Sequence, residues 1–593
     1  MTSSIRPPQN PLPGAVADLV RRMAGPGGGD AAELAARACG ETLRAIERGD
    51  VCLPLGRIAG KTCGELRREA AAASPDGDGE GAGADAGGGE EESAAAEDAA
   101  AAGYRFPDAV AIAGALRAFP CIVAEGGEDG SRYTPFVLDV GRLYTRRNHR
   151  CERRIRDRLD ALAAAPAPPA HVPGGDDPLL AGLSAGQRDA LALVLSRRFA
   201  ILTGGPGTGK THVLARTVAL AQRADPGLRV RLAAPTGKAA ARMGESFAAA
   251  GGVLREAPST LHRLVGLNPS TGAFRHHAGN PLPADWLVVD EASMVDLLLL
   301  GHVLDALPAG AGLLLIGDPH QLASVAPGRI LRDLCEAKGV GGEPRYPIAK
   351  LSDSYRFPAE GPIARFAAAV NAGAEEDAFA VLGEAAPGGG GAIAWTPHPA
   401  GAAKGPDAWP GFRAAVLDGF RALARARTPE EALAHANDCR VLCAVRRGPF
   451  GVARANAAVR AWLGPAAPMP VMATHNDPSL GVYNGDLGVV LPGDPDGAWL
   501  EPAARGGAPR RIPRLLLQDL EPAWATTVHK SQGSEYGDVA VVLPGDPDNP
   551  LLAREILYTA VTRTRRSVRL WSSPAALRAC IRHPVLRATG FSG

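Results

Sequence analysis

The stretch FAILTGGPGTGKTHVLA, Phe199 to Ala215, constrains the fold more than any other part of the chain. An apolar run leads into glycines at 204, 205, 207 and 209, and a helix-like segment starts directly behind them. A strand apolar on both faces needs a covering layer on each side. Glycines at that density belong where the backbone takes angles that side chains resist. The spacing Gly204-x4-Gly209-Lys210-Thr211 between strand and helix predicts a loop whose N–H groups cradle phosphate at a positive helix end. Lys210 then meets the β- and γ-phosphates and Thr211 holds Mg2+. The expected ATP contacts are therefore Gly204, Gly205, Pro206, Gly207, Thr208, Gly209, Lys210 and Thr211.

Further apolar runs, VRLAAPT, WLVVDEAS, GLLLIGD, RVLCAV, VAVVL and SVRLW, alternate with helical segments. That alternation predicts an α/β chain with parallel sheets covered on both faces. Its 593 residues exceed what one core supports. The boundaries fall at an N-terminal domain over 1–164, a Pro- and Gly-rich linker over 165–178, and α/β domains over 179–350 and 351–593. Short polar–apolar alternations over about 468–521 predict a small β-barrel inserted in the last of these. From Ser74 to Ala102 the composition collapses to small and acidic residues, and this segment is expected to be disordered. The net charge of +1 excludes a wholesale polyanion binder, so any nucleic-acid surface is local. The nine cysteines lack a CxxC pair and are expected to be reduced, as in a cytoplasmic protein. No apolar run is long enough to span a membrane.

The partners of the glycine loop stand at the ends of other strands. WLVVDEAS ends in Asp290, expected to hold Mg2+, and Glu291, expected to orient or deprotonate the attacking water. GLLLIGDPHQL places Asp318 and Gln321 at another strand tip, where Gln321 can sense a γ-phosphate. Gln187, upstream of the loop, carries an amide suited to the edges of adenine. Far downstream, Thr527, His529, Lys530, Ser531, Gln532 and Gly533 crowd the mouth of an apolar strand, and Gly533 is expected to face the nucleotide. Arg356 in SYRF and Arg563 in YTAVTRTRR can reach across a cleft to a transferring phosphoryl group. Only seven of the 64 Lys and Arg residues are lysine, and Lys210, Lys238 and Lys530 all lie in such clusters.

Taken in order, LTGGPGTGKT, LAAPTGKAAARM, STLHRLVG, LVVDEASMVD, LLLIGDPHQLASV, SYRF, GPFGV, NGDLGVVL, TVHKSQGSEY and YTAVTRTRR resemble the motif series of the superfamily 1 helicases. Within them they are most similar to the RecD family of RecBCD (exodeoxyribonuclease V) subunits. The resemblance runs from about residue 183 to 571. It implies two RecA-like P-loop NTPase domains with a small inserted β-barrel, beside an α-rich N-terminal domain. It also implies 5′→3′ movement on single-stranded DNA, action at duplex ends, and RecB and RecC as partners in a heterotrimer. DNA contacts carried over onto matching positions are Pro235, Thr236, Gly237, Lys238, Thr260, His262, Asn484, Thr527, His529 and Lys530. With aromatic residues at 5%, grip through phosphates is expected to outweigh base stacking.

One position departs from the family pattern. Asp353 stands three residues before Arg356, and an acid so close is expected to pair with that guanidinium and shorten its reach. Two rival readings use the same residues. In one, the chain is a regulatory subunit whose nucleotide only switches a shape that gates a partner nuclease; in the other, it is a stand-alone helicase.

Overall fold

The structure is a computed structural model describing residues 12–25, 29–72, 103–126, 134–166, 177–249, 251–358, 360–384, 392–398, 405–477, 479–501, 507–517 and 520–591. The acidic segment and most of the Pro/Gly linker lie outside the described residues. Among those described, no helix is long and apolar enough to cross a membrane. None of the nine cysteines is bridged, and seven are buried.

The N-terminal unit is helical, as its Ala- and Leu-rich periodicity requires, but it also contains a sheet. Strands β1 (Leu53–Pro54), β2 (Val123–Glu125), β3 (Phe136–Asp139) and β4 (Arg142–Thr145) align in the order β1-β4-β3-β2. Helices Leu12–Ala24, Gly29–Glu47 and Ala109–Arg117 cover it, burying Leu34, Phe106, Leu116 and Phe136 in one core. The unit is α-rich, with a small four-stranded sheet set among its helices. The last helix of the region, Arg146–Ala164, faces elsewhere. Its Cys151, Ile155, Leu159 and Leu162 enter the core of the following lobe. Cys151 lies so close to Gly301 that a side chain there would meet its sulfur.

The first α/β lobe holds β5 (Phe199–Gly204), β6 (Val230–Ala234), β7 (Ser259–Thr260), β8 (Trp286–Val289), β9 (Gly312–Gly317) and β10 (Ile348–Leu351). All pair in parallel, in the order β10-β5-β9-β8-β6-β7. Strands β5, β8 and β9 are buried along their whole length because apolar layers cover both faces. With all strands parallel, their C-terminal ends, where the polar motif residues follow, share one edge of the sheet.

The second lobe comprises β11 (Ile393–Pro397), β12 (Cys439–Cys443), and, beyond an insertion, three further parallel strands. The insertion contributes β13 (Met469–Ala473), β14 (Leu487–Leu491), β15 (Asp494–Leu500), β16 (Arg510–Pro513) and β17 (Leu520–Pro522). Then come β18 (Ala525–Thr527), β19 (Tyr536–Val542) and β20 (Thr564–Ser572), completing a sheet ordered β11-β20-β19-β12-β18. The inserted strands form an antiparallel sheet ordered β16-β15-β14-β13-β17. Its end strands β16 and β17 are not bonded to each other among the described residues, so the sheet is open there. Met472, Leu487 and Val489 pack it onto the lobe beneath Trp524. All seven apolar runs read as strands are strands; β7 and β18, with two and three residues, are too short to stand out by periodicity.

Residues 585–591 run back across the molecule. Val585 N–H donates to Glu555 at 2.8 Å, and Arg587 donates to the carbonyls of Ser324, Ala326 and Gly328 at 2.6, 3.0 and 2.8 Å. Ala588 N–H meets Asp50 at 2.6 Å, and Gly590 N–H meets Glu152 at 2.9 Å. One strap thus joins both lobes to the N-terminal unit. Beneath it Asp333, fully buried beside Arg329, is pushed up to about 7 by desolvation.

The β3–β4 hairpin turns on two residues with positive φ, Val140 at 44° and Gly141 at 70°. That mirror-image turn suits Asn-Gly, whereas a β-branched residue there is strained. Val140 is also 83% exposed, so its side chain gains little by packing. Val140→Asn is expected to stabilise the chain by about 1 kcal/mol, read as a higher thermal midpoint. An unchanged or lower midpoint would contradict this account of the turn.

Candidate active site between the two lobes

The glycine loop after β5 is shaped by steric need. Gly207 and Gly209 have φ of 78° and 81°. A side chain at Gly204 would collide with Thr208 and the Leu351 carbonyl, and one at Gly207 with Arg356. Gly209 caps helix Lys210–Ala224, whose first N–H groups lack partners within the helix and point into the loop. Lys210 Nζ lies over the loop, donating to the carbonyls of Gly204 and Gly205 at 2.8 and 3.0 Å. Burial lowers its pKa, and the carboxylates of Asp318, Glu291 and Asp290 oppose that shift. Gln187 shapes the loop from behind. Its carboxamide oxygen accepts from Ser184 N–H at 3.2 Å and its Nε2 donates to the Thr208 carbonyl at 3.2 Å. At 4% exposure it braces the loop backbone.

Two neighbouring strand tips bring acids to the same place. Glu291, after β8, adopts φ 49°, an angle costly for any residue but glycine, and this strained turn presents its carboxylate to the cleft. Asp290 is desolvated and sits against Glu291, and both effects raise its pKa. Asp318, after β9, is buried and accepts from the Tyr558 hydroxyl at 2.8 Å and from Gln321 Nε2 at 3.2 Å. Thr211 also lines the cleft. A hydroxyl and carboxylates form a hard-oxygen donor set that fits Mg2+ shared with phosphate oxygens. Among the described residues no group of three or more His, Cys, Asp or Glu side chains forms a self-sufficient metal cage.

The opposite wall comes from the second lobe. Gly533 has φ 72° and faces Ala239, which a side chain would reach at 3.5 Å. Gln532 Nε2 donates to the Leu322 carbonyl at 2.8 Å, and Leu322 N–H donates to Thr559 Oγ1 at 3.0 Å. Arg563, 4% exposed, donates to Gln321 Oε1 at 2.5 Å. Both walls line one cavity of about 260 Å³, containing the loop from Pro206 to Thr211 together with Asp290, Glu291, Gln321, Arg356, Gly533 and Arg563. The polar cluster ahead of β19 thus stands across a gap from the phosphate cradle some three hundred residues upstream.

Asp353 does not hold Arg356: the exposed Asp353 accepts from Ser352 Oγ at 3.3 Å. Arg356 pairs instead with Glu535, whose carboxylate also receives Arg242. Glu535, Arg242, Tyr558 and Thr559 were missed as site residues, although all four lie inside motifs already singled out. Tyr355 was missed too; its ring is 63% exposed beside Gly209.

The residues expected to grip DNA line the sheet ends beyond this cavity. Pro235, Thr236, Gly237 and Lys238 follow β6, and Thr260 ends β7, which pairs with β6 at Ala234. Thr236 and Thr260 spend their hydroxyls as local caps, accepting from Ala239 N–H at 3.2 Å and Arg263 N–H at 3.3 Å. His262 is exposed. The inserted sheet meets this edge: Tyr483 lies against Gly237, and Lys238 faces Asp486 and Glu501. Asn484 is exposed on the same loop. Thr527 is buried and accepts from Lys530 N–H at 3.2 Å, while Lys530 Nζ meets Glu521 at 2.5 Å. Burial holds the His529 imidazole below its usual pKa, so it is neutral at pH 7.

Because Asp290 holds its proton more tightly in the fold than as a free carboxylate, the stability it lends is full at low pH. That stability is lost as pH rises through its folded pKa. Asp290→Asn is therefore expected to raise the thermal midpoint at pH 7.5 and to leave it nearly unchanged at pH 4. A variant no more stable than the parent at pH 7.5 would contradict the buried-charge account.

Two family models match the chain: an AAA domain over residues 187–327 and a UvrD-like helicase C-terminal domain over 522–571. The RecBCD enzyme subunit RecD of Mycolicibacterium smegmatis is 40% identical over 481 residues, covering 76% of this chain and 81% of that protein. The ATP-dependent RecD2 DNA helicase of Deinococcus radiodurans is 34% identical, covering 72% of this chain and 54% of that one. Among solved structures, a Bacteroides Pif1 helicase complex with ADP-AlF3 and single-stranded DNA aligns with 67% of this chain and 94% of its own at 18% identity, with a TM-score of 0.36. With the glycine loop, the strand-tip acids and the second-lobe arginines facing one cavity, and with that identity spanning most of a RecD subunit, the chain belongs to the RecD family.

Proposed function

We propose that this chain is an ATP-dependent DNA helicase moving 5′→3′ on single-stranded DNA, the RecD subunit of a cytoplasmic RecBCD assembly that engages duplex ends. The observation that carries the reading is the single cavity bounded by the glycine loop of one lobe and Gly533 and Arg563 of the other. ATP seated there has its phosphates against the loop N–H groups and Lys210. Thr211 and Asp290 would hold Mg2+, which would supply charge neutralisation to the phosphates. Glu291 orients and deprotonates the attacking water, and Arg356 and Arg563 stabilise charge on the transferring phosphoryl group. Gln321, already bonded to Arg563, relays the presence of γ-phosphate to the second lobe. The exposed Tyr355 ring offers the base a stacking face.

Work on DNA follows from coupling. Opening a duplex step costs about 0.6–2.2 kcal/mol, so each closure of the cleft has to shift the groups that hold the strand. Gln532 and Gly533 lie directly behind Lys530, and Ala239 lies directly behind Lys238; closing on nucleotide therefore moves both sets of expected DNA contacts. Thr236, Lys238, Asn484, Thr527, His529 and Lys530 make the grip, with Pro235, Gly237, Thr260 and His262 shaping the first-lobe side. The chain then divides as 1–164 for docking RecB and RecC, 165–178 as linker, 179–350 and 351–593 as motor lobes, with the open antiparallel sheet of 468–521, expected as a small barrel, flanking the DNA contacts.

Lys210→Ala in the full chain, with partners co-purified, is expected to lower DNA-stimulated ATPase by at least about 100-fold and abolish 5′→3′ translocation, with the fold intact. Retention of both activities would sink the motor assignment. Lys238→Ala and Lys530→Ala are each expected to weaken single-strand binding equally across sequences and to reduce the log–log salt slope by about 0.7. An unchanged slope would remove that lysine from the phosphate contacts.

A further inference from the structure

Glu535 lies between Gly533 and β19 and is only 10% exposed in its side chain. One carboxylate oxygen receives both Arg242 and Arg356; the other receives Arg565 Nε at 3.0 Å. Arg242 comes from the first-lobe helix Gly237–Ala249, Arg356 from the crossing between lobes, and Arg565 from the start of β20. Arg563 stands in the same cavity. Guanidinia gathered this closely repel one another, and burial together with Arg242, Arg563 and Arg565 presses Arg356 down to about 9. Of the four acids lining the cavity, Asp290, Glu291 and Asp318 all belong to first-lobe strand tips. Glu535 is the acid on the other wall. Its single negative charge is shared by Arg242, Arg356 and Arg565.

We infer that Glu535 is a positioning residue: its carboxylate gathers Arg242 and Arg356 into a preset pair at the cleft and yields them to the γ-phosphate. This rests on the nucleotide reading above and names the device by which that reading places its arginine. A carboxylate and a phosphate oxygen make the same demand on a guanidinium, so partner exchange keeps both side chains oriented. Without such an anchor a long side chain samples several rotamers and reaches the phosphoryl group only part of the time. The same exchange loosens the Arg242–Glu535 pair, which crosses between the lobes, at the moment the phosphate arrives.

The test is a double-mutant cycle on DNA-stimulated ATPase in the full chain, with Lys210→Ala as the control for the nucleotide site. Glu535→Gln is expected to lower kcat about tenfold while KM for ATP stays within about threefold and ADP binding is unchanged. In an Arg242→Ala/Arg356→Ala background the same substitution is expected to cost less than about twofold, because both residues it acts through are gone. Glu535→Asp, which keeps the charge, is expected to recover part of kcat, and it replaces the glutamine variant in the cycle should that one fail to fold. Additive losses, or a wild-type kcat in Glu535→Gln, would overturn the positioning role while leaving the nucleotide site standing. Full activity of Lys210→Ala would instead remove the nucleotide reading itself.

Discussion

Everything this chain can do mechanically depends on a polar seam between the lobes beneath the cavity. The helix Arg554–Val561 sends Tyr558 to Asp318 and Thr559 to the backbone at Leu322, and Gln532 closes on the Leu322 carbonyl from the other side. These groups are buried, so each hydrogen bond left unmade costs about 1–3 kcal/mol of desolvation. Such a seam resists partial opening and prefers a small number of discrete arrangements. Burial and the adjacent Asp318 raise the Tyr558 pKa, so the phenol stays a donor at any physiological pH. A lobe that senses a phosphate only through charge would respond gradually; one joined by directional bonds to the strand tip carrying Gln321 can switch.

Charge in the cleft follows from how the sheets are built. Parallel strands bring their C-terminal tips to one edge, so Asp290, Glu291 and Asp318 converge whatever the sequence distance between them. The second lobe answers with arginines rather than lysines. A guanidinium keeps its charge when buried and holds a carboxylate with a fixed fork, which an ammonium cannot do. Lysine survives at 210, where the partners are the Gly204 and Gly205 carbonyls around a point charge.

The strap over residues 585–591 adds a second connection. Arg587 sits against Gly49 of the N-terminal unit while holding three carbonyls of the segment directly after Gln321 and Leu322. The N-terminal unit is therefore not an appendage. Its helix Arg146–Ala164 shares a core with the first lobe, and Asp50 and Glu152 receive the strap's backbone.

The glycine loop, the two acids after Val289, the seven apolar strands and the insertion were all readable from the chain, because each is a local pattern: a spacing, a run or an alternation. Arg356 and Arg563 were readable as well, but their partners were not. Asp353 was the nearest acid in sequence, yet the acid that takes Arg356 is Glu535, which the fold brings from 179 residues downstream. Gln187 was readable as an amide near the loop, but its hold on the Thr208 carbonyl was not. The open edge of the inserted sheet and the strap share that origin. Local periodicity records which face of an element is buried; it holds no record of which distant group buries it, and in this protein the ion pairs and seams that set function are all of that second kind.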